Sequence, residues 1–208
     1  MPDRKGPASG FLPPVSATIR QLPGPREFQV YVPEISASDL SWRSSRQVFP
    51  RPSPRWRHWL QDPGSLTESL IAHSNGCFQV QVVSENWWQG YSPYLHELLG
   101  AGMARQRMWS RKVVLVGRDT PWVLAHTLVP QASLRSPLGQ VKMLNSRPLG
   151  AFLFAHPGLH RSRMDIASTG ESWGRCSLFE LFDRPIVVAE FFLPALIEGH
   201  PGLPPVAT

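Results

Sequence analysis

The sequence predicts an α+β fold: one antiparallel β-sheet with helices on one side. Two observations carry that prediction. Beyond residue 76 most of the chain consists of short β-rich apolar runs, while helical character is confined to a few stretches between them. Some of those runs are joined by tight hairpin signals and others by long connections, as a mixed antiparallel sheet requires. At 208 residues the chain is long enough for one catalytic domain and too short for two, and at 42% hydrophobic it can bury a core. Wholesale disorder and collagen-like structure are excluded.

Residues 1–52 read as a proline-rich, basic, largely irregular extension, and residues 53–208 as the folded domain. Ten of the 22 prolines fall in residues 1–57. Pro13-Pro14, Pro23-Gly24-Pro25 and Pro50-Arg51-Pro52 each interrupt a helix before it can propagate. A short strand is expected within residues 27–32. From Pro54 the pattern tightens into a short amphipathic helix with Trp56, Trp59 and Leu60 on one face. Asp62-Pro63-Gly64 ends it. Ser65-Leu66-Thr67-Glu68 then has the form of a capping box, opening a helix with Leu66, Leu70 and Ile71 as its apolar stripe. Ser74-Asn75-Gly76 closes that helix.

Residues 77–83 alternate as a half-buried strand, and residues 94–99 form a short helix. Residues 111–116 and 122–129 are strands joined by a hairpin at residues 117–121. Two short helices fit residues 131–155. Strands follow at 164–166, 172–182 and 186–193, the last two joined by Asp183-Arg184-Pro185.

The charge of the chain is uneven. Residues 1–57 hold nine Lys and Arg against four Asp and Glu, and the remaining residues hold twelve against eleven, for a net of +6 overall. The part that folds is nearly neutral, so a nucleic-acid partner is not expected. No apolar run approaches the roughly 20 residues that span a bilayer, so no stable membrane insertion is expected. The first residues lack a secretory apolar region. Cys77 and Cys176 suit reduced thiols, and the cytoplasm is the expected compartment.

Motifs for cofactors are absent from the sequence. It has no G-x-G-x-x-G after a strand, no P-loop and no G-x-S-x-G elbow. His156-Pro157-Gly158-Leu159-His160 has a metal-like interval, but Pro and Gly prevent the helix that would align the two imidazoles, so a surface loop is expected. Trp87-Trp88 reads as packing at a strand end, since no basic cluster interleaves it. No metal and no cofactor are expected.

Two ionisable residues stand out. Glu190 lies within Ile186-Val187-Val188-Ala189-Glu190-Phe191-Phe192-Leu193, apolar at both parities, so that strand is covered on both sides. A carboxyl group there needs a partner or a proton. It is either half of a structural ion pair or a pocket acid that meets a ligand hydroxyl. Arg111 shares a face with Val113 and Leu115. It is either a solvated strand end or a fork for a ligand carboxylate. A buried cation and a buried acid on neighbouring strands suit a small organic acid carrying a carboxylate at one end and a hydroxyl at the other.

Six segments, in order, resemble one family: Arg111-Lys112-Val113-Val114-Leu115-Val116, Thr120-Pro121-Trp122, Ala125-His126-Thr127-Leu128-Val129-Pro130, Arg147-Pro148-Leu149-Gly150-Ala151-Phe152-Leu153-Phe154, Trp173-Gly174-Arg175 and Ala189-Glu190-Phe191-Phe192-Leu193-Pro194. The chain is similar there to the chorismate pyruvate-lyases, bacterial enzymes that make 4-hydroxybenzoate for ubiquinone. The resemblance is dense over residues 108–194 and thinner over residues 55–107. Residues 1–52 have no counterpart in it. It implies helical flaps closing over an internal ligand site, and a cofactor-free elimination of pyruvate from chorismate. It implies that Arg111 binds the ligand carboxylate, that Glu190 meets the 4-hydroxyl, and that Leu149 and Leu66 contribute main-chain contacts. Leu66 departs from the family's methionine, an exchange that a backbone contact survives. Arg175 is the candidate for the second carboxylate; its other reading is a surface strand residue. A monomer is expected, with chorismate and 4-hydroxybenzoate as its small-molecule partners. The alternative is a non-catalytic sensor domain of the same fold that binds a small aromatic acid.

Overall fold

The computed structural model describes residues 20–21, 28–170 and 172–198. The breaks at Pro13-Pro14 and Pro23-Gly24-Pro25, and residue 27 of the first expected strand, lie outside them. Nine strands and five α-helices occur among the described residues. Two short strands, β1 (Arg20–Gln21) and β2 (Phe28–Gln29), pair with each other. The main sheet has seven strands: β3 (Arg43–Ser44), β4 (Phe78–Trp88), β5 (Met108–Gly117), β6 (Thr120–Pro130), β7 (Leu159–Ser168), β8 (Trp173–Leu181) and β9 (Pro185–Phe192). Their order is β3-β7-β8-β9-β6-β5-β4, antiparallel at every step.

The predicted hairpins form where the sequence placed them. Strands β5 and β6 are joined by Arg118 and Asp119 at φ 49° and 61°, the left-handed pair that matches strand twist in a two-residue turn. Beside it Gly117 is obligatory for space: a Cβ there would lie 2.1 Å from the Trp122 ring. The helices are α1 (Pro54–Leu60), α2 (Leu66–His73), α3 (Pro93–Ala104), α4 (Leu149–Phe154) and α5 (Pro194–Glu198). Helix α1 buries Trp59 and Leu60. In α2 the Ser65 hydroxyl accepts from the Glu68 N–H at 3.4 Å, which is half of the expected capping box. Asn75 and Gly76 end α2 with positive φ, as its sequence signals. Residues 131–155 hold two 3₁₀ turns, Gln131–Ser133 and Leu138–Met143, before α4.

Side-chain alternation sorts the core into two faces. On one face Val113, Leu115, Val123, Ala125 and Phe192 meet α1, α2 and α5. On the other, Val114, Val116, Leu124, Leu128, Val187, Ala189 and Phe191 meet Leu95 and Leu98 of α3 together with Phe28, Val32, Ile35 and Trp42. The single antiparallel sheet is the one expected, with its helices divided between the faces, α3 lying on the second. Strand β9 is covered on both sides, as its apolar composition requires.

The boundary at residue 52 needs correction. Phe28, Val32, Ile35 and Trp42 are 8%, 2%, 0% and 9% exposed, and β3 adds an edge to the main sheet by pairing Arg43 with Ile166. The prolines prevent helix, but they leave large apolar side chains free to pack from irregular backbone. The folded body includes residues 28–52.

Topology then sets up the site. Strand β7 lies three places from β6 in the sheet, so the chain leaving β6 passes over β9 and β8 before β7, β8 and β9 return as a meander. That crossing carries α4 over the first face, beside α2.

Candidate active site

Beneath α2 and α4 lies a recess with about 590 Å³ of empty space, part of it open to solvent. Its walls are mainly apolar, with Val80, Val113, Leu115, Leu153, Phe179 and Val188 among them. Leu66, Arg111, Leu149, Arg175 and Glu190, all singled out from the sequence, line it together. The polar groups run across five adjacent strands: Arg175 on β8 faces Glu190 on β9, and, two residues further along β6, Thr127 faces Arg111 on β5, which faces Glu85 on β4.

Arg111 is 2% exposed. Its Nη1 forms an ion pair with Glu85, the residue directly opposite on β4. Its Nη2 donates to the backbone oxygens of Asn145, at 2.5 Å, and Arg147, at 3.4 Å. A guanidinium has five N–H donors, so these contacts fix its plane while others remain for a ligand. The solvated reading of Arg111 is excluded by its burial.

Glu190 forms the ion pair expected of it and also faces the recess. Its Oε2 accepts from Arg175 Nε at 2.5 Å. Arg175, expected as a second carboxylate contact or a surface residue, is 0% exposed, so the surface reading fails. Its Nη1 donates to the backbone oxygens of Trp59 and Asp62, each at 3.0 Å. Its charge is therefore matched inside the protein, and its geometry suits it to orient Glu190.

Leu66 and Leu149 are the first residues of α2 and α4. Backbone N–H groups in a first helical turn have no acceptor within the helix, so both positions offer donors at the roof of the recess. Gly150 lets these two roofs touch. A Cβ there would sit 2.4 Å from Thr67 Oγ1 on α2.

Two charged residues at the site escaped the sequence reading, Glu85 and Arg161. Each lies beside a β-bulge, Glu85 after one and Arg161 before one. In β4 the register shifts between Val82 and Ser84, and in β7 between Arg161 and Arg163. Arg161 donates from Nη1 to the Asp62 carbonyl at 3.1 Å and from Nη2 to that of Gly64 at 3.4 Å, and its guanidinium lies 4.7 Å from the Phe179 ring. Burial, then the charge of Arg175, push its pKa below the ordinary value. Among the described residues no three His, Cys, Asp or Glu side chains gather as a metal site, and no helix is long and apolar enough to cross a membrane.

Comparison with known proteins gives a consistent result. The family model described as chorismate lyase matches residues 37–199. The chorismate pyruvate-lyase of Proteus mirabilis is 36% identical over 140 residues, covering 66% of this chain and 79% of that protein. That of Sodalis glossinidius is 33% identical over 158 residues, covering 74% and 85%. Among solved structures, the effector domain of PhnF from Mycobacterium smegmatis is a distant likeness, with a TM-score of 0.46 and 17% identity over 63% of this chain and 89% of that one.

Proposed function

The chain belongs to the chorismate lyase family, and from that premise we propose that its recess binds chorismate and eliminates pyruvate to leave 4-hydroxybenzoate. One observation carries the assignment to this site. Arg111 and Glu190 rise from the same sheet face on strands separated only by β6, facing Thr127 and Ala125 of that strand, about 12 Å apart at the backbone. Their long side chains can close on the two ends of one six-membered ring. The apolar walls between them suit its faces.

In this reading Arg111 holds the ring carboxylate, with Glu85 and two backbone oxygens fixing the guanidinium. The N–H groups at Leu66 and Leu149 add donors from above. Glu190, oriented by Arg175, accepts from the 4-hydroxyl. The C3–O bond breaks with its electron pair leaving on the enolpyruvyl oxygen. The C4–H bond gives its electrons to the new ring double bond, and one proton added at the enolpyruvyl methylene carbon completes pyruvate. Aromatisation supplies the driving force, so the protein chiefly has to orient the arm, exclude water and offer fixed dipoles.

The test is direct. Purified protein is incubated with chorismate and EDTA, and both products are quantified. Pyruvate and 4-hydroxybenzoate in equal amounts are expected. No pyruvate overturns the proposal, and activity that chelation abolishes and a divalent ion restores contradicts the cofactor-free step.

A further inference from the structure

We propose that Arg161 binds the carboxylate of the enolpyruvyl arm and makes the site selective for a dicarboxylate over a ring bearing one carboxylate. This deepens the chorismate reading and rests on it.

Chorismate carries two carboxylates, and a buried anion requires a cation or several donors. Three cations line the recess: Arg111, Arg161 and Arg175. With the ring carboxylate at Arg111 and the hydroxyl at Glu190, the arm leaves the carbon next to the hydroxyl-bearing one. Its carboxylate therefore emerges at the Glu190 end. Beyond β9 on that side lie only β8, with Arg175, and β7, with Arg161, before the edge strand β3. Arg175 is already matched by Glu190 and by two backbone oxygens.

Arg161 is different. It has no carboxylate in ion-pair contact among the described residues, and its two hydrogen bonds go to neutral carbonyls. Its Nε is buried without a hydrogen-bond partner. A buried N–H on a cation left unmade is costly, and a ligand carboxylate would satisfy it. The position also fits the arm. Arg161, Phe154 and Phe179 line both the main recess and a neighbouring one bounded by Pro63, His156 and Leu159. Arg161 thus stands at the junction of the two spaces, where a side arm can extend away from the ring.

The experiment compares two ligands on one set of variants. Wild type, Arg161→Gln and Arg161→Lys are assayed for kcat/KM with chorismate and for the inhibition constant of 4-hydroxybenzoate, which lacks the arm. In Arg161→Gln, chorismate kcat/KM should fall roughly tenfold to a hundredfold, while 4-hydroxybenzoate inhibition stays within about twofold. Arg161→Lys should recover part of the loss, since it keeps the charge without the planar fork. Equal losses for both ligands would mean that Arg161 only braces the loop at residues 62–64, and no loss for either would mean that it touches no substrate. Both results overturn the proposal. If Arg161→Gln does not fold, Arg161→Lys is judged alone: it must lose more for chorismate than for 4-hydroxybenzoate. A wild-type protein that releases no pyruvate fails the functional reading itself, a result seen before any variant is made.

Discussion

The buried arginines differ in what they have left to give. Arg111 is clamped by Glu85 and two backbone oxygens, which fix the position of its charge. Arg111→Ala should weaken chorismate binding about tenfold to a hundredfold, with only partial rescue by Arg111→Lys. A near-normal KM in Arg111→Ala would show that the cation serves the fold alone. On the opposite face His126 is 0% exposed. Its Nδ1 accepts from the Ile35 N–H at 3.1 Å, so Nε2 carries the proton toward Ser110 Oγ at 3.0 Å. Burial pushes its pKa down from 6.5 to about 3, with the charge of Lys112 adding to the fall. The neutral form is native, so its stabilisation is complete above pH 6.5 and is lost as pH drops toward 3. The loss is about 1.4 kcal/mol per pH unit within that window. The gap in melting temperature between wild type and His126→Gln should narrow from pH 7 to pH 4. Parallel curves would contradict it. Arg111 and Glu190 were legible in the sequence because a charge inside an apolar strand has few explanations. Glu85 and Arg161 were not, because a bulge re-aims the side chains beside it and strict alternation then assigns them to the wrong face.

At the scale of elements, irregular backbone does as much as helix. The segment at residues 28–42 covers one face of the sheet together with α3, with Trp42 against Phe191 and Tyr94 at centroid distances of 5.8 and 5.7 Å. A chain beginning at Ser53 should therefore be insoluble or markedly less stable, and Trp42→Ala should cost about 3–5 kcal/mol. Chemical denaturation of both checks this, and an unchanged midpoint would return the boundary to residue 52. The strands and hairpins were readable from alternation and turn residues. This covering segment was not, since its residues follow neither the helical nor the strand period and reveal their place only through tertiary contact. On the other face, Gly150→Ala would press a methyl group onto Thr67 and separate the two helices that roof the recess. Chorismate KM should rise in that variant while the sheet keeps its melting temperature within a few degrees. An unchanged KM would show that the α2–α4 contact does not shape the site.

For the whole molecule, the sheet acts as a measuring device. Antiparallel strands about 4.8 Å apart set a cation and an acid at a spacing that a single ring can bridge. The crossing from β6 to β7 supplies the roof. The central claim is that Arg111 and Glu190 grip opposite ends of one hydroxylated ring. Inhibition constants of 4-hydroxybenzoate and benzoate on wild type and Glu190→Gln test it most directly, because the two ligands differ only in the hydroxyl. The account predicts that 4-hydroxybenzoate inhibits the wild type more strongly than benzoate does. It also predicts that Glu190→Gln weakens 4-hydroxybenzoate and leaves benzoate nearly unchanged. Equal losses for the two ligands would contradict it, leaving Glu190 only as the partner of Arg175.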